Sequence, residues 1–195
     1  MLLKRVIHAC SFPLPEYHQD FSVLNYIMKY HKHKKQKNPQ TIVSGIKLDF
    51  PLTSAQRSQL QSAVTLHQQG HLVEAEAIYK LILQVQPSHF DVLQYLALAA
   101  LQRKNFTDAV VYFKRALSLN PHHLPSLNNY GLALLALKRF DEALECYEKA
   151  IDVSADSAEA FCNRGVTLQE LTRYDEALVS YERAIALNEG YVISD

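Results

Sequence analysis

The sequence predicts an all-α solenoid of four tandem helix-turn-helix repeats behind a basic, largely irregular N-terminal arm. Three observations predict it. The blocks RFDEALECYEKAI (139–151) and RYDEALVSYERAI (173–185) align at a shift of 34 residues, and two further shifts reach NFTDAVVYFKRAL (105–117) and HLVEAEAIYKLIL (71–83). Small and bulky residues recur at fixed places in each copy. Charge divides the chain: residues 1–52 carry eight Lys/Arg against three Asp/Glu, and residues 53–195 carry twelve against seventeen. A repeat of this length marks a stack of supersecondary units, because one copy alone cannot bury its apolar faces.

Residues 1–52 lack the repeat. Phe21, Leu24, Ile27 and Met28 fall at helical spacing and predict a short amphipathic helix, followed by the run HKHKKQK at 31–37. Charge runs of this density are solvated, so a flexible arm is the expectation. The copies then span 56–89, 90–123, 124–157 and 158–191. Counting from Gln56, Phe90, Leu124 and Ala158, position 8 is Ala63, Ala97, Gly131 and Gly165, and position 20 is Ala75, Ala109, Ala143 and Ala177. Small residues let two helices approach closely. Position 24 is Tyr79, Phe113, Tyr147 and Tyr181, and position 17 is Leu72, Phe106, Phe140 and Tyr174, which fill the space beside them. Apolar spacing such as Leu93, Leu96, Ala97, Ala100 and Leu101, then Ala109, Tyr112, Phe113, Ala116 and Leu117, gives two amphipathic helices per copy. Pro87 and Pro121 close helical runs, and Thr107, Asp141 and Asp175 are placed at the start of second helices, where Asp108, Glu142 and Glu176 favour the positive end. The turns between the paired helices are polar, at Gly70, Lys104, Lys138 and Thr172.

Composition excludes several functions. Five Gly and no G-x-G-x-x-G or G-x-x-x-x-G-K-[ST] leave no phosphate-cradling loop. Cys10, Cys146 and Cys162 are odd in number and show no C-x-x-C, so neither a disulfide framework nor a zinc site is indicated and a reducing, cytoplasmic setting is expected. No apolar window is long enough to span a membrane, and the N-terminus lacks the h-region of a signal peptide. The summed charge of zero argues against nucleic acid as a partner. Catalytic and metal residues are expected to be none. Glu142 and Glu176 read as solvated helix-start charges, Cys162 as a small hydrophobe and the pair His122 and His123 as an inter-repeat turn. No cofactor or small-molecule substrate is expected.

With these residues in view, the chain resembles the tetratricopeptide repeat family. The resemblance is carried by Leu96-Ala97, Tyr130-Gly131 and Arg164-Gly165 in the first helices, by the Ala and aromatic positions above, by Ala116, Ala150 and Ala184 at position 27, and by Pro87 and Pro121 at position 32. Position 4 departs from the family Trp, with Gln59, Leu93, Leu127 and Phe161, and Ala155 and Glu189 replace the proline. The resemblance implies a right-handed solenoid whose first helices line a concave groove, used as a non-catalytic scaffold for a protein or extended peptide. Carried over to this chain, the groove residues are Gln94, Tyr95, Leu98 and Leu101, then Asn128, Asn129, Leu132 and Leu135, then Cys162, Asn163, Val166 and Gln169. An Asn ladder through Asn129 and Asn163 both donates and accepts, and so suits a peptide backbone. Positions 5 and 9 carry no cation, which argues against a clamp for a C-terminal carboxylate. The last helix, with Leu178, Tyr181, Ile185 and Leu187, is expected to leave apolar surface that self-association, a partner or further chain would cover. Asn128-Asn129-Tyr130-Gly131 and the DEAL-plus-Tyr phase are also similar to the N-terminal arrays of bacterial O-GlcNAc-transferase-like proteins. That implies, as the alternative, an acceptor-binding fragment of a glycosyltransferase whose catalytic domain is missing from these 195 residues.

Overall fold

The computed structural model describes residues 52–192, with side chains as far as Asn188. The basic arm and its expected helix lie outside the described residues. Eight helices follow one another: α1 (Ser54–Gln69), α2 (Leu72–Val85), α3 (Phe90–Gln102), α4 (Phe106–Leu119), α5 (Leu124–Ala136), α6 (Phe140–Val153), α7 (Ala158–Glu170) and α8 (Tyr174–Val192). Each helix packs on the next, so the four pairs stack in chain order. Each first helix also touches the first helix of the following repeat, whereas the second helices do not approach one another closely. The first helices therefore line the inner side of the curve.

Helix ends follow local chemistry. Helix α1 starts two residues ahead of the first copy's Gln56, because Thr53 and Gln56 form a capping box. The Gln56 amide donates to Thr53 Oγ1 at 3.2 Å and the Thr53 amide donates to Gln56 Oε1 at 3.0 Å. The second helices start at Phe106, Phe140 and Tyr174, one residue before Thr107, Asp141 and Asp175. Asn105 caps α4 by accepting from the Asp108 amide, while Arg139 caps α6 without a side-chain bond. Glu142 and Glu176 are exposed, but they are not free charges. Arg139 holds Glu142 through two bonds of 2.7 Å, and Arg173 holds Glu176 through bonds of 2.6 and 2.7 Å. These donors lower both carboxyls below the usual range.

The turn inside each repeat is one motif used four times. Gly70, Lys104, Lys138 and Thr172 all have positive φ, at 87°, 61°, 58° and 59°. The following amide reaches back five residues along the helix, from His71 to the Leu66 carbonyl, Asn105 to Ala100, Arg139 to Leu134 and Arg173 to Leu168. This 6→1 bond closes a helix whose next residue turns left-handed. A β-branched residue is strained there, since its Cβ crowds the backbone. Thr172→Gly is therefore expected to raise stability by about 1 kcal/mol in a denaturant titration, and a loss of stability would contradict that strain.

The first helices of repeats two and three are capped by His89 and His123, of which the sequence points only to His123, as part of an inter-repeat turn. The Val92 amide donates to His89 Nδ1 at 3.4 Å and the Ser126 amide donates to His123 Nδ1 at 3.3 Å. A ring nitrogen that accepts carries no proton, so these caps require the neutral imidazole. Burial lowers the proton affinity of His123 below the ordinary 6.5. The unfolded chain then binds the proton more tightly than the folded one, so stability is full above about pH 6.5 and declines as pH falls below it. His123→Asn retains an acceptor without a proton to gain. Its melting temperature is expected to fall less than that of the parent between neutral and mildly acid pH.

Volume matching builds the core. Ala75, Ala109 and Ala143 are fully buried, as are Tyr79, Phe113 and Tyr147. A Cβ placed on Gly131 would lie 2.6 Å from Tyr147 Cζ, and one on Gly165 would lie 2.6 Å from Tyr181 Cε1. The rings therefore lie directly on the helix backbone. Of the α8 residues expected to stand uncovered, Leu178 is exposed and Ile185 and Leu187 are half-buried. Tyr181 is buried instead, because Gly165 lets its ring close over α7. Helix α8 runs on to Val192.

Ion pairs join the first junction between repeats and the last, where Arg164 lies 3.6 Å from Glu148, and only the first buries its carboxylate. Arg103 donates to the buried Glu76 at 2.9 Å, and Lys80 lies 3.4 Å from its other oxygen. The equivalent positions at the next two junctions hold Val110 with Leu137 and Leu144 with Leu171, each pair sharing one apolar cluster. Removing one partner of a buried pair leaves an unsatisfied charge, whereas an apolar replacement of both is often neutral. Arg103→Leu alone is expected to cost about 1–2 kcal/mol. Adding Glu76→Val should recover that loss in a double-mutant cycle, and strict additivity would count against the pairing.

Candidate peptide-binding groove

The inner side is built from α1, α3, α5 and α7, and the structure places the sequence-predicted residues there in two sets. Gln94, Tyr95, Leu98, Leu135, Val166 and Gln169 are half-buried and reach the surface. Leu101, Asn128, Asn129, Leu132, Cys162 and Asn163 are buried. The division has a geometric cause: close approach of successive first helices covers the residues between them.

Hydrogen bonds divide the amides further. Asn129 Nδ2 donates to the Pro125 carbonyl at 2.8 Å, which uses one donor inside its own helix. Asn128 Oδ1 is buried and accepts no hydrogen bond among the described residues. Gln169 Oε1 accepts from the Tyr181 hydroxyl at 3.3 Å, which orients its amide from behind. Thr167 donates to the Asn163 backbone carbonyl at 2.8 Å, leaving the Asn163 side chain out of that bond. An inward-facing strip of amides and apolar groups can hold a backbone by hydrogen bonds while apolar side chains bury beside it.

At the first junction the groove holds an aromatic cluster. The Tyr79 and Tyr95 rings stack with centroids 5.8 Å apart and 12° between planes, and His67 lies edge-on to Tyr95 at 6.2 Å. Burial raises both phenols above their ordinary range and lowers His67. His67 is at position 12 of the first copy, equivalent to Leu101, Leu135 and Gln169. The carry-over began with the second copy and so missed it, although the phase alone points to it.

Burial pushes the Cys146 thiol up to about 12, far from the range of a nucleophilic thiolate. Cys162 is buried on α7. No cluster of three or more metal-ligating side chains occurs among the described residues. No described helix is long and apolar enough to cross a membrane.

Comparisons with known proteins bear on the fold. Residues 123–190 match the model of the tetratricopeptide repeat, and residues 68–150 match that of anaphase-promoting complex, cyclosome, subunit 3. No curated protein matches the chain. Among solved structures, the chain is similar to a crystal structure of MamA, with a TM-score of 0.68 and 20% identity over 70% of this chain and 80% of that one. A MamA RS-1 double mutant aligns over 100% of this chain and 96% of its own, with a TM-score of 0.69 and 15% identity. YrrB, described as a tetratricopeptide repeat protein with an unusual peptide-binding site, aligns at a TM-score of 0.65 and 22% identity over 69% of each chain. The similarity to O-GlcNAc-transferase arrays is not supported by these matches. Four stacked helix pairs with Gly or Ala under Tyr or Phe give this chain the all-α solenoid fold of tetratricopeptide repeat proteins, and residues 123–190 match the model of that repeat.

Proposed function

We propose that the chain is a non-catalytic interaction scaffold that holds an extended, uncharged peptide segment along its inner face. The observation that carries this reading is the half-buried strip of Gln94, Tyr95, Leu98, Leu135, Val166 and Gln169, which offers amides, a ring and aliphatic groups without a cation. Asn129 and Asn163 are buried beside this strip, and Asn129 Nδ2 donates within its own helix. The peptide-binding site in the printed description of YrrB belongs to that protein and supports the reading by likeness of fold alone. A preformed groove lowers the ordering cost of binding, because its side chains already sit on rigid helices.

The test pans a library of displayed random peptides against the full chain. Enriched clones are expected to bind at least about tenfold more weakly to Leu98→Asp combined with Val166→Asp, a loss of about 1.4 kcal/mol. Val111→Asp on the outer side, where Val111 is 50% exposed, should leave binding unchanged. Equal loss from the outer substitution, with unchanged circular dichroism throughout, would place the site elsewhere.

A further inference from the structure

The outer side of α2 differs from that of the later second helices. Val73, Ala77, Leu81 and Val85 recur every four residues and are all exposed, Val73 at 60%, Leu81 at 55% and Val85 at 68%. They form one continuous ridge along the helix, of the kind that packs into the groove of another helix. The later repeats break the same line. Position 18, which is Val73 in α2, becomes Thr107, Asp141 and Asp175, and position 26, which is Leu81 in α2, becomes Arg115, Lys149 and Arg183. An apolar ridge confined to one helix marks a contact made by that helix rather than a property of the repeat.

The chain that precedes the repeats enters beside this helix. Leu52 is 2% exposed and shares an apolar cluster with Ile82 and Leu83 of α2, and its carbonyl accepts from Arg57 Nε at 3.0 Å. Ahead of Leu52 the sequence offers Phe21, Leu24 and Met28, an apolar stripe at helical spacing, with Ile27 beside it. The 23 residues 29–51 separate this stripe from Leu52 and span about 25–30 Å as a flexible chain. Helix α2, of 14 residues, is about 21 Å long, so the whole ridge is within reach. A tether of this length holds the segment at an effective concentration on the order of millimolar, which favours it over a second copy at micromolar concentration.

We propose that residues 21–28 dock as an amphipathic helix on the α2 ridge of the same chain, adding a further helix to the outer side of the first repeat. This goes beyond the groove reading and does not depend on it, since the ridge is on the side away from the groove. The lysine-rich run at 31–37 then lies in the tether, where it stays solvated.

Hydrogen exchange of the full chain, read by mass spectrometry, tests it. Amides of residues 21–28 are expected to exchange at least about tenfold more slowly than in a free peptide of the same residues. Leu81→Asp with Val85→Asp, both at exposed positions, should remove that protection and leave exchange in α3 to α8 unchanged. Leu24→Asp with Met28→Asp should remove it equally. In a Cys10→Ser background, Leu24→Cys with Ala77→Cys should cross-link within one chain under a short bismaleimide, because Cys146 and Cys162 are buried. Free-peptide exchange of residues 21–28 in the parent, or protection that survives Leu81→Asp with Val85→Asp, would overturn the proposal. A cross-link formed only between chains, with a sedimentation mass above the 22.2 kDa of one chain, would overturn it in favour of a second copy on the ridge.

Discussion

Phe113→Ala is expected to destabilise the protein by about 3–5 kcal/mol, the range for truncating a buried aromatic ring whose cavity cannot collapse. Phe113 is fully buried in a cluster with Ala97, Ala109, Val110 and Leu134, which joins the second repeat to the third. A solenoid is stabilised by its repeats and by the interfaces between nearest neighbours. Loss of this ring should therefore lower the guanidinium midpoint and also uncouple the two halves, giving a broader or two-step transition by circular dichroism. Val111→Ala, two residues away and 50% exposed, is the control and should stay within about 0.5 kcal/mol of the parent. A midpoint for Phe113→Ala near that of the control would mean the ring does not hold the junction.

Gly131→Val is expected to cost about 3 kcal/mol, the upper end for inserting methyl groups into a packed core. Helix propensity alone predicts the opposite sign, since glycine is the worst ordinary residue in a helix interior. The collision decides the matter. The new Cβ would stand 2.6 Å from Tyr147 Cζ and 2.7 Å from Cε1, and the ring is fully buried, so it has no space to swing into. The Tyr147 hydroxyl is buried and unbonded among the described residues. Tyr147→Phe is therefore expected to be neutral or slightly stabilising, and in a double-mutant cycle it should soften the Gly131→Val penalty. Independent, additive effects in urea titrations would contradict direct contact between the two residues.

The Gly131 and Tyr147 pair also shows how far the sequence could be read. Small residues at position 8 and rings at position 24 were visible as a 34-residue rhythm, and their contact follows from it. The groove was legible in outline, because the same rhythm fixes which side of each first helix faces inward. Its depth was not legible. Asn128 and Leu132 look like open groove positions by phase, and both are buried because neighbouring first helices close over them. The histidine caps were missed for a different reason: His89 and His123 sit in turns of the expected length, and a cap is defined by ring orientation, which composition does not show. The pair of Glu76 with Arg103 spans 27 residues, and apolar residues hold its two positions in the later repeats, so no periodic argument leads to it.

What the sequence determined by itself was therefore the repeating part: helix pairs, their order, and which faces turn inward. Those depend on side-chain volume and polarity at short, regular spacing, and each copy carries them whole. What only the tertiary structure decided was how much of each inward face stays open, where ion pairs join the repeats, and that α8 keeps Tyr174 and Leu178 in solvent. Burial and charge pairing depend on the neighbouring repeat as well as on the residue's own, and the curvature that sets those neighbours arises only when the copies stack.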